Sequence, residues 1–136
     1  MPVDAVPIVE QMCQRWTKSY DEFCQAYRDT FAPGAEYVAQ HQMPATQGAD
    51  QAVAVLDQFH AGFGVETVEV DMIRIAQVGN DVWTERVDYM VNAAGERFLA
   101  IPIMGVMTFN DEGLITRWID YWDMRELLAL APTGSE

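Results

Sequence analysis

The feature that most constrains this chain is a change of hydrophobic period near Val65. Before it, apolar residues recur at helical spacing; after it, they alternate every second position. Val9, Met12, Cys13, Trp16, Tyr20, Phe23, Cys24 and Tyr27 mark a helical stretch from about Val6 to Asp29. Ser19 or Asp21 can cap a second helix within it. Phe31-Ala32-Pro33-Gly34 reads as the end of that unit. A short strand is expected over Glu36–Gln42, stopped by Pro44. A further helix is expected over Gly48–Phe63, closed by Gly62 and Gly64. The period-two segment then divides at Gly79-Asn80, Ala94-Gly95 and Asn110-Asp111-Glu112-Gly113 into successive hairpin strands ending near Trp122. Within it, Pro102 and Gly105 suggest a bend or bulge. Asp123 can cap a last short helix, and a loose tail is expected over residues 132–136. Helices followed by meandering strands make an α+β pattern in one domain, 1–136. A curved, mostly antiparallel sheet wrapped over helices leaves a cavity, the natural place for a ligand.

Composition removes several classes of partner. Eight basic against 21 acidic residues give a formal charge of -13. That balance argues against nucleic acid and anionic membranes. No apolar run approaches the roughly 20 residues of a membrane helix. The opening Met1-Pro2-Val3-Asp4 lacks the charge and apolar block of a signal peptide. Cys13 and Cys24 lie about three turns apart on the predicted helical stretch, too far to bridge within it. They read as thiols of a reducing, cytoplasmic setting. His41 and His60 are too few and too isolated to suggest a metal site.

The chemistry concentrates in two strands. Trp83-Thr84-Glu85-Arg86-Val87-Asp88 puts Arg86 and Asp88 on one face, because strand side chains alternate. Asp120 sits between Trp118 and Trp122 on the last strand. Two carboxylates and a fixed cation in one pocket would suit paired general acid and general base work. Trp118 and Trp122 share the face of Asp120, and Met90, Ile101 and Ile103 are expected to complete an apolar wall. A lone Arg-x-Asp would more often be a surface ion pair; the second aspartate between tryptophans, together with the resemblance described next, tips the balance.

The segments Val82–Asp88, Ile103–Met107 and Trp118–Glu126 resemble those of the limonene-1,2-epoxide hydrolase family. The resemblance implies the cone-shaped fold of nuclear transport factor 2 and the SnoaL-like cyclases, a mixed, mostly antiparallel sheet with N-terminal helices enclosing a pocket. It further implies a cofactor-independent enzyme that adds water to a small lipophilic epoxide in one step and yields a vicinal diol. The triad would fall on Asp120 as base, Asp88 as acid and Arg86 as the bridge between them. The family also holds its water with a Tyr-x-Asn pair before a Met-Pro step. Counting back from Met43-Pro44 assigns Gln40 and Gln42 to that pair; counting forward from Phe31 assigns Tyr37 and Ala39. The first count is favoured, since an amide can still orient water. Gln42, with Gln40 or Tyr37, is therefore expected to contact water near Asp120.

Two other readings compete: a cyclase or isomerase of the same fold, and a small-molecule-binding protein without catalysis. The apolar content of both faces of Phe98–Phe109 predicts a homodimer packed through its sheet faces.

Overall fold

A computed structural model describes residues 2–130. The expected tail from Pro132 lies outside them. The helical stretch is divided where a cap was expected. Helix α1 covers Val6–Arg15 and helix α2 covers Tyr20–Thr30. Ser19 ends the break, its hydroxyl accepting from the Glu22 backbone N–H at 3.0 Å. Such a cap contributes roughly 1 kcal/mol. Arg15 then clamps the two helices with ion pairs to Glu22 at 2.7 Å and Asp29 at 2.9 Å.

Strand β1, Phe31–Val38, follows α2 directly. This corrects the expected strand over Glu36–Gln42. The helical unit does end at Phe31, as expected, but Pro33 and Gly34 lie inside β1, where the register against β6 shifts between Phe31 and Glu36. Gly34 supplies a φ of 71° there. Strand β2 is only Thr46–Gln47, and helix α3 spans Gly48–Phe63 as expected. Gly64 closes α3 in the left-handed region at φ 75°.

Strands β3 (Thr67–Val78), β4 (Asp81–Val91), β5 (Arg97–Phe109) and β6 (Ile115–Tyr121) form an antiparallel meander. Helix α4, Arg125–Leu128, follows, with the Asp123 carboxylate accepting from the Arg125 backbone N–H at 2.9 Å. The sheet order is β2-β1-β6-β5-β4-β3, and the β1–β6 pair alone is parallel. The fold is therefore α+β with a mixed, mostly antiparallel sheet. In the parallel seam Tyr37 lies beside Trp118.

The expected bulge at Pro102 or Gly105 is absent, and pairing with β4 runs unbroken through both. Pro102 lies beyond the last β5–β6 pair, Met104 with Tyr121, so its missing N–H costs no bond on that side. The bulges occur instead beside Met72, Met90 and Thr108.

The inner face of the sheet packs on α1, α2 and α3. Val9, Met12, Trp16, Phe23 and Tyr27 bury against Val68, Val82, Met107, Phe109 and Trp118. A smaller cluster of Ile101, Ile103, Trp122 and Leu127 lies towards α4. On the outer face Val38, Val106 and Ile119 form a third apolar group. None of the helices described is long and apolar enough to cross a membrane.

Candidate active site

Between the inner face and the helices lies a cavity of about 70 Å³. One water needs roughly 10–15 Å³ of such space. Its walls are largely aromatic and aliphatic, and its polar floor comes from Arg86, Asp88 and Asp120. All three are buried, Arg86 at 2% exposure.

Strand alternation puts Thr84, Arg86 and Asp88 in one row on β4. Asp120 arrives from β6 across Gly105 of β5. All five N–H groups of Arg86 find acceptors. Nε donates to Asp88 Oδ1 at 2.8 Å and Nη2 to Asp120 Oδ2 at 2.6 Å. Nη1 donates to Thr84 Oγ1 at 3.0 Å and to Asp120 Oδ1 at 3.2 Å. Nη2 also reaches Asp88 Oδ2 at 3.4 Å. The planar fork thus holds both carboxylates in register, which a lysine's point charge could not do. The Trp118 indole donates a further bond to Asp120 Oδ1 at 2.9 Å.

Gly105 makes this arrangement possible. A Cβ at that position would lie 2.1 Å from Asp120 Oδ1 and 2.9 Å from Arg86 Nη1. No side chain fits there with the ion pair in place, so the glycine read as a bulge signal is a clearance.

Burial pushes the Asp88 carboxyl above the ordinary aspartate range, against the pull of Arg86, and the nearby Asp120 charge adds to the rise. Burial opposes the Arg86 charge as well, but the two carboxylates outweigh it and hold the guanidinium protonated. Tyr27 and Tyr37 are raised chiefly by burial and stay neutral phenols, their hydroxyls 3.0 Å apart. Burial also pushes the Cys13 thiol up to about 12, so it fills space rather than acting as a nucleophile.

Of the expected wall, Met90, Ile103, Trp118 and Trp122 line the cavity. Ile101 does not. It is buried in the smaller cluster with Ile103 and Trp122. The water-holding residues also need correction. Gln42 is exposed, and Gln40, fully buried, does not line the cavity. The Gln40 amide donates to the Trp122 carbonyl at 2.9 Å and accepts from the Gln42 backbone at 2.7 Å. The cause is local: β1 ends at Val38, and the chain turns through Met43 N–H to Gln40 O at 2.8 Å. Strand parity therefore cannot be counted back from Met43-Pro44. Tyr37 and Ala39 are the residues of this segment that line the cavity. His41 is exposed and stacks on Tyr121, with ring centroids 5.2 Å apart.

Several residues of the site were not singled out from sequence. Thr84 could have been, since alternation two residues before Arg86 gives it. Trp16 and Tyr27 could not, because their place depends on how α1 and α2 dock. Trp16 stacks on Trp118 with centroids 5.8 Å apart and planes 4° from parallel. Its indole N–H is buried with no hydrogen-bond partner among the described residues. An orphan of this kind costs roughly 1–3 kcal/mol.

The sequence profile of the limonene-1,2-epoxide hydrolase catalytic domain matches residues 10–132. The chain belongs to the limonene-1,2-epoxide hydrolase family. The match spans both strands that carry the Arg86, Asp88 and Asp120 set. Among solved structures, the chain is similar to an LEH-like epoxide hydrolase from M. tuberculosis, at 23% identity and a TM-score of 0.70. That alignment covers 93% of this chain and 88% of the other. It is also similar to a protein from Jannaschia sp. CCS1 assigned to the SnoaL-like polyketide cyclases, at 19% identity and a TM-score of 0.74. There 95% of this chain and 92% of the other are covered. A third, from Catenulispora acidiphila DSM 44928, has a ketosteroid isomerase-like fold, with 23% identity, a TM-score of 0.73 and 93% of each chain covered. At these identities the structural likeness speaks for the fold alone. No curated protein matches the chain.

Proposed function

We propose that this family member is an epoxide hydrolase acting by one-step general acid and base catalysis. The observation that carries the reading is a single arginine, with every donor used, holding two buried carboxylates at the floor of an apolar cavity. Asp120 takes a proton from water, and the water oxygen bonds to an epoxide carbon. As that bond forms, the carbon–oxygen bond of the ring breaks, and Asp88 gives its proton to the departing oxygen. Asp120 ends protonated and Asp88 ionised, so one proton must return from Asp120 to Asp88 before the next turnover. The raised Asp88 fits the acid, because a carboxyl in the ordinary range would be ionised before it could donate. Tyr37, with Tyr27 behind it, is the hydroxyl partner we assign to the water. The substrate is small and lipophilic, as the apolar walls require, and no cofactor enters the reaction. We place the protein in the cytoplasm, in keeping with its unpaired thiols.

A single turnover in ¹⁸O-labelled water, run across cyclic and terminal epoxides, tests the reading. One labelled oxygen is expected in each diol and none in the protein. Label on an aspartate would instead require a covalent ester. One observation favours a second reading. Ala39 offers only a methyl group to the cavity, where the family pattern counted from Phe31 has a second water-holding side chain. A substrate hydroxyl could then replace water, as in a cyclase, and the cyclic ether formed would carry no label.

We also propose that two copies pair through the outer sheet face. Trp83, Met104 and Tyr121 are each about half exposed there, around Val38, Val106 and Ile119. Sedimentation at micromolar concentration should show a dimer, and a monomer would remove this assignment.

A further inference from the structure

The cavity runs from the buried trio to one rim. On β4 the inward row Arg86, Asp88, Met90 passes from buried to half-buried. On α3, Leu56 is buried and Phe59, about one turn further on, is half-buried. Tyr20, the first residue of α2, is the third half-buried residue of the wall, and every other lining residue is buried. Tyr20, Phe59 and Met90, from three different elements, therefore form the rim that meets solvent. A molecule whose reacting end lies on Arg86, Asp88 and Asp120 points its other end at this rim.

Of the three, Tyr20 is held from several sides. Its hydroxyl donates to the Asp57 carboxylate on α3. Burial raises the phenol, and the bond to Asp57 adds to the rise, so the group stays neutral and keeps the proton it donates. The ring lies flat on His60, with centroids 3.9 Å apart and planes 12° from parallel, and meets Phe23 edge-on at 6.4 Å. His60 is fixed in turn, its Nδ1–H donating to the Val65 carbonyl at 2.8 Å. Neither Asp57 nor His60 lines the cavity; both act on it through Tyr20. A ring locked in this way does not swing aside for a long substituent, and obstruction of that kind is a direct source of specificity. Resting on the epoxide hydrolase reading, we propose that Tyr20 is a specificity-determining residue, a fixed stop at the cavity mouth that limits the length of substituent an epoxide substrate can carry. Asp57 and His60 are its positioning residues. The favoured substrate is a compact epoxide whose carbon skeleton ends at the rim.

The test follows kcat/KM along straight-chain terminal epoxides, from butene oxide to dodecene oxide. Wild-type protein is expected to show a cut-off, a chain length beyond which kcat/KM falls by about tenfold, the effect of a misfitting methylene. Tyr20→Ala should move the cut-off to longer chains, mainly through KM. Tyr20→Phe keeps the ring and removes the bond to Asp57, and Asp57→Ala removes the same bond from the other side. Each should relax the cut-off part of the way, and the double variant should go no further than either, because all three lose one and the same bond. If Tyr20→Ala does not fold, these milder variants carry the test. A cut-off at the same length in every variant, or an equal change for every chain length, overturns the proposal. Straight-chain alcohols of the same lengths cannot be hydrolysed and supply a second readout, through the emission of the tryptophans on the cavity wall. Their binding should show a limiting length that also moves in Tyr20→Ala. If the alcohols show that shift while no epoxide is hydrolysed, the stop stands and the hydrolase reading falls. If epoxides are hydrolysed with one cut-off throughout, the hydrolase reading stands and the stop falls.

Discussion

Asp120→Asn is expected to lower kcat by about 10²–10⁴-fold, the usual contribution of a positioned base. The amide has no lone pair basic enough to take the water proton. It also cannot reproduce the hydrogen bonding of the carboxylate. Asp120 Oδ1 accepts from Trp118 Nε1 and Arg86 Nη1, and Oδ2 accepts from Arg86 Nη2. Whichever way the amide is turned, its NH₂ faces a donor. A modest fall in Tm should therefore accompany the kinetic loss, and Tm and kcat measured together separate the two. Full activity in this variant would remove the mechanism and favour a binding protein. In the wild type, kcat should fall as pH rises through the elevated Asp88 value, because the acid loses the proton it must donate. The stability linkage has the same sign. Asp88 binds its proton more tightly in the folded state, so its contribution is present below the unfolded value and is lost as pH rises through the folded one.

Arg86→Met should have the largest effect on stability. It leaves two carboxylates facing each other in a cavity with no cation between them. Removing one side of a buried ion pair costs about 3–5 kcal/mol. For a domain of this size that corresponds to a Tm lower by roughly 10–20 °C. The variant should recover part of the loss at acid pH, where a proton shared by the pair relieves the repulsion. Thermal melts across pH check both points. An unchanged Tm would show that the Arg86 network contributes nothing to the folded state.

Much of this arrangement was legible from residue order. The Thr84–Asp88 row follows from strand alternation alone, and the break at Ser19 follows from its capping hydroxyl. The span of α3 was read from its period and its terminal glycine. The failures share a physical cause. Pro33 and Gly34 do mark the end of the helical unit, but the strand was expected only from Glu36, whereas pairing with β6, about 80 residues away in sequence, carries β1 back to Phe31. Gln40 and Gln42 were assigned by extending strand parity past a turn that the sequence does not announce. Gly105 looked like a bulge because its real constraint, the space taken by Asp120 and Arg86, lies on two other strands. Ile101 faces inward as expected, but the boundary between cavity and solid core depends on how α4 and the end of α3 settle. Trp16 and Tyr27 enter the site only through the docking of α1 and α2.

The parallel seam between β1 and β6 also sets an order on how the protein is made. Strands β3, β4 and β5 are joined by short hairpins and pair with sequence neighbours, so they can form as soon as they are synthesised. Strand β1, finished some 80 residues before its parallel partner, must wait with one long edge open until β6 arrives. Asp120 rides on that late strand. Until it docks, Arg86 and Asp88 remain a two-charge pair open to water, and burial of the full trio is deferred to the step that closes the sheet. The residues proposed to do the chemistry are thus held back from the interior until the third charge arrives.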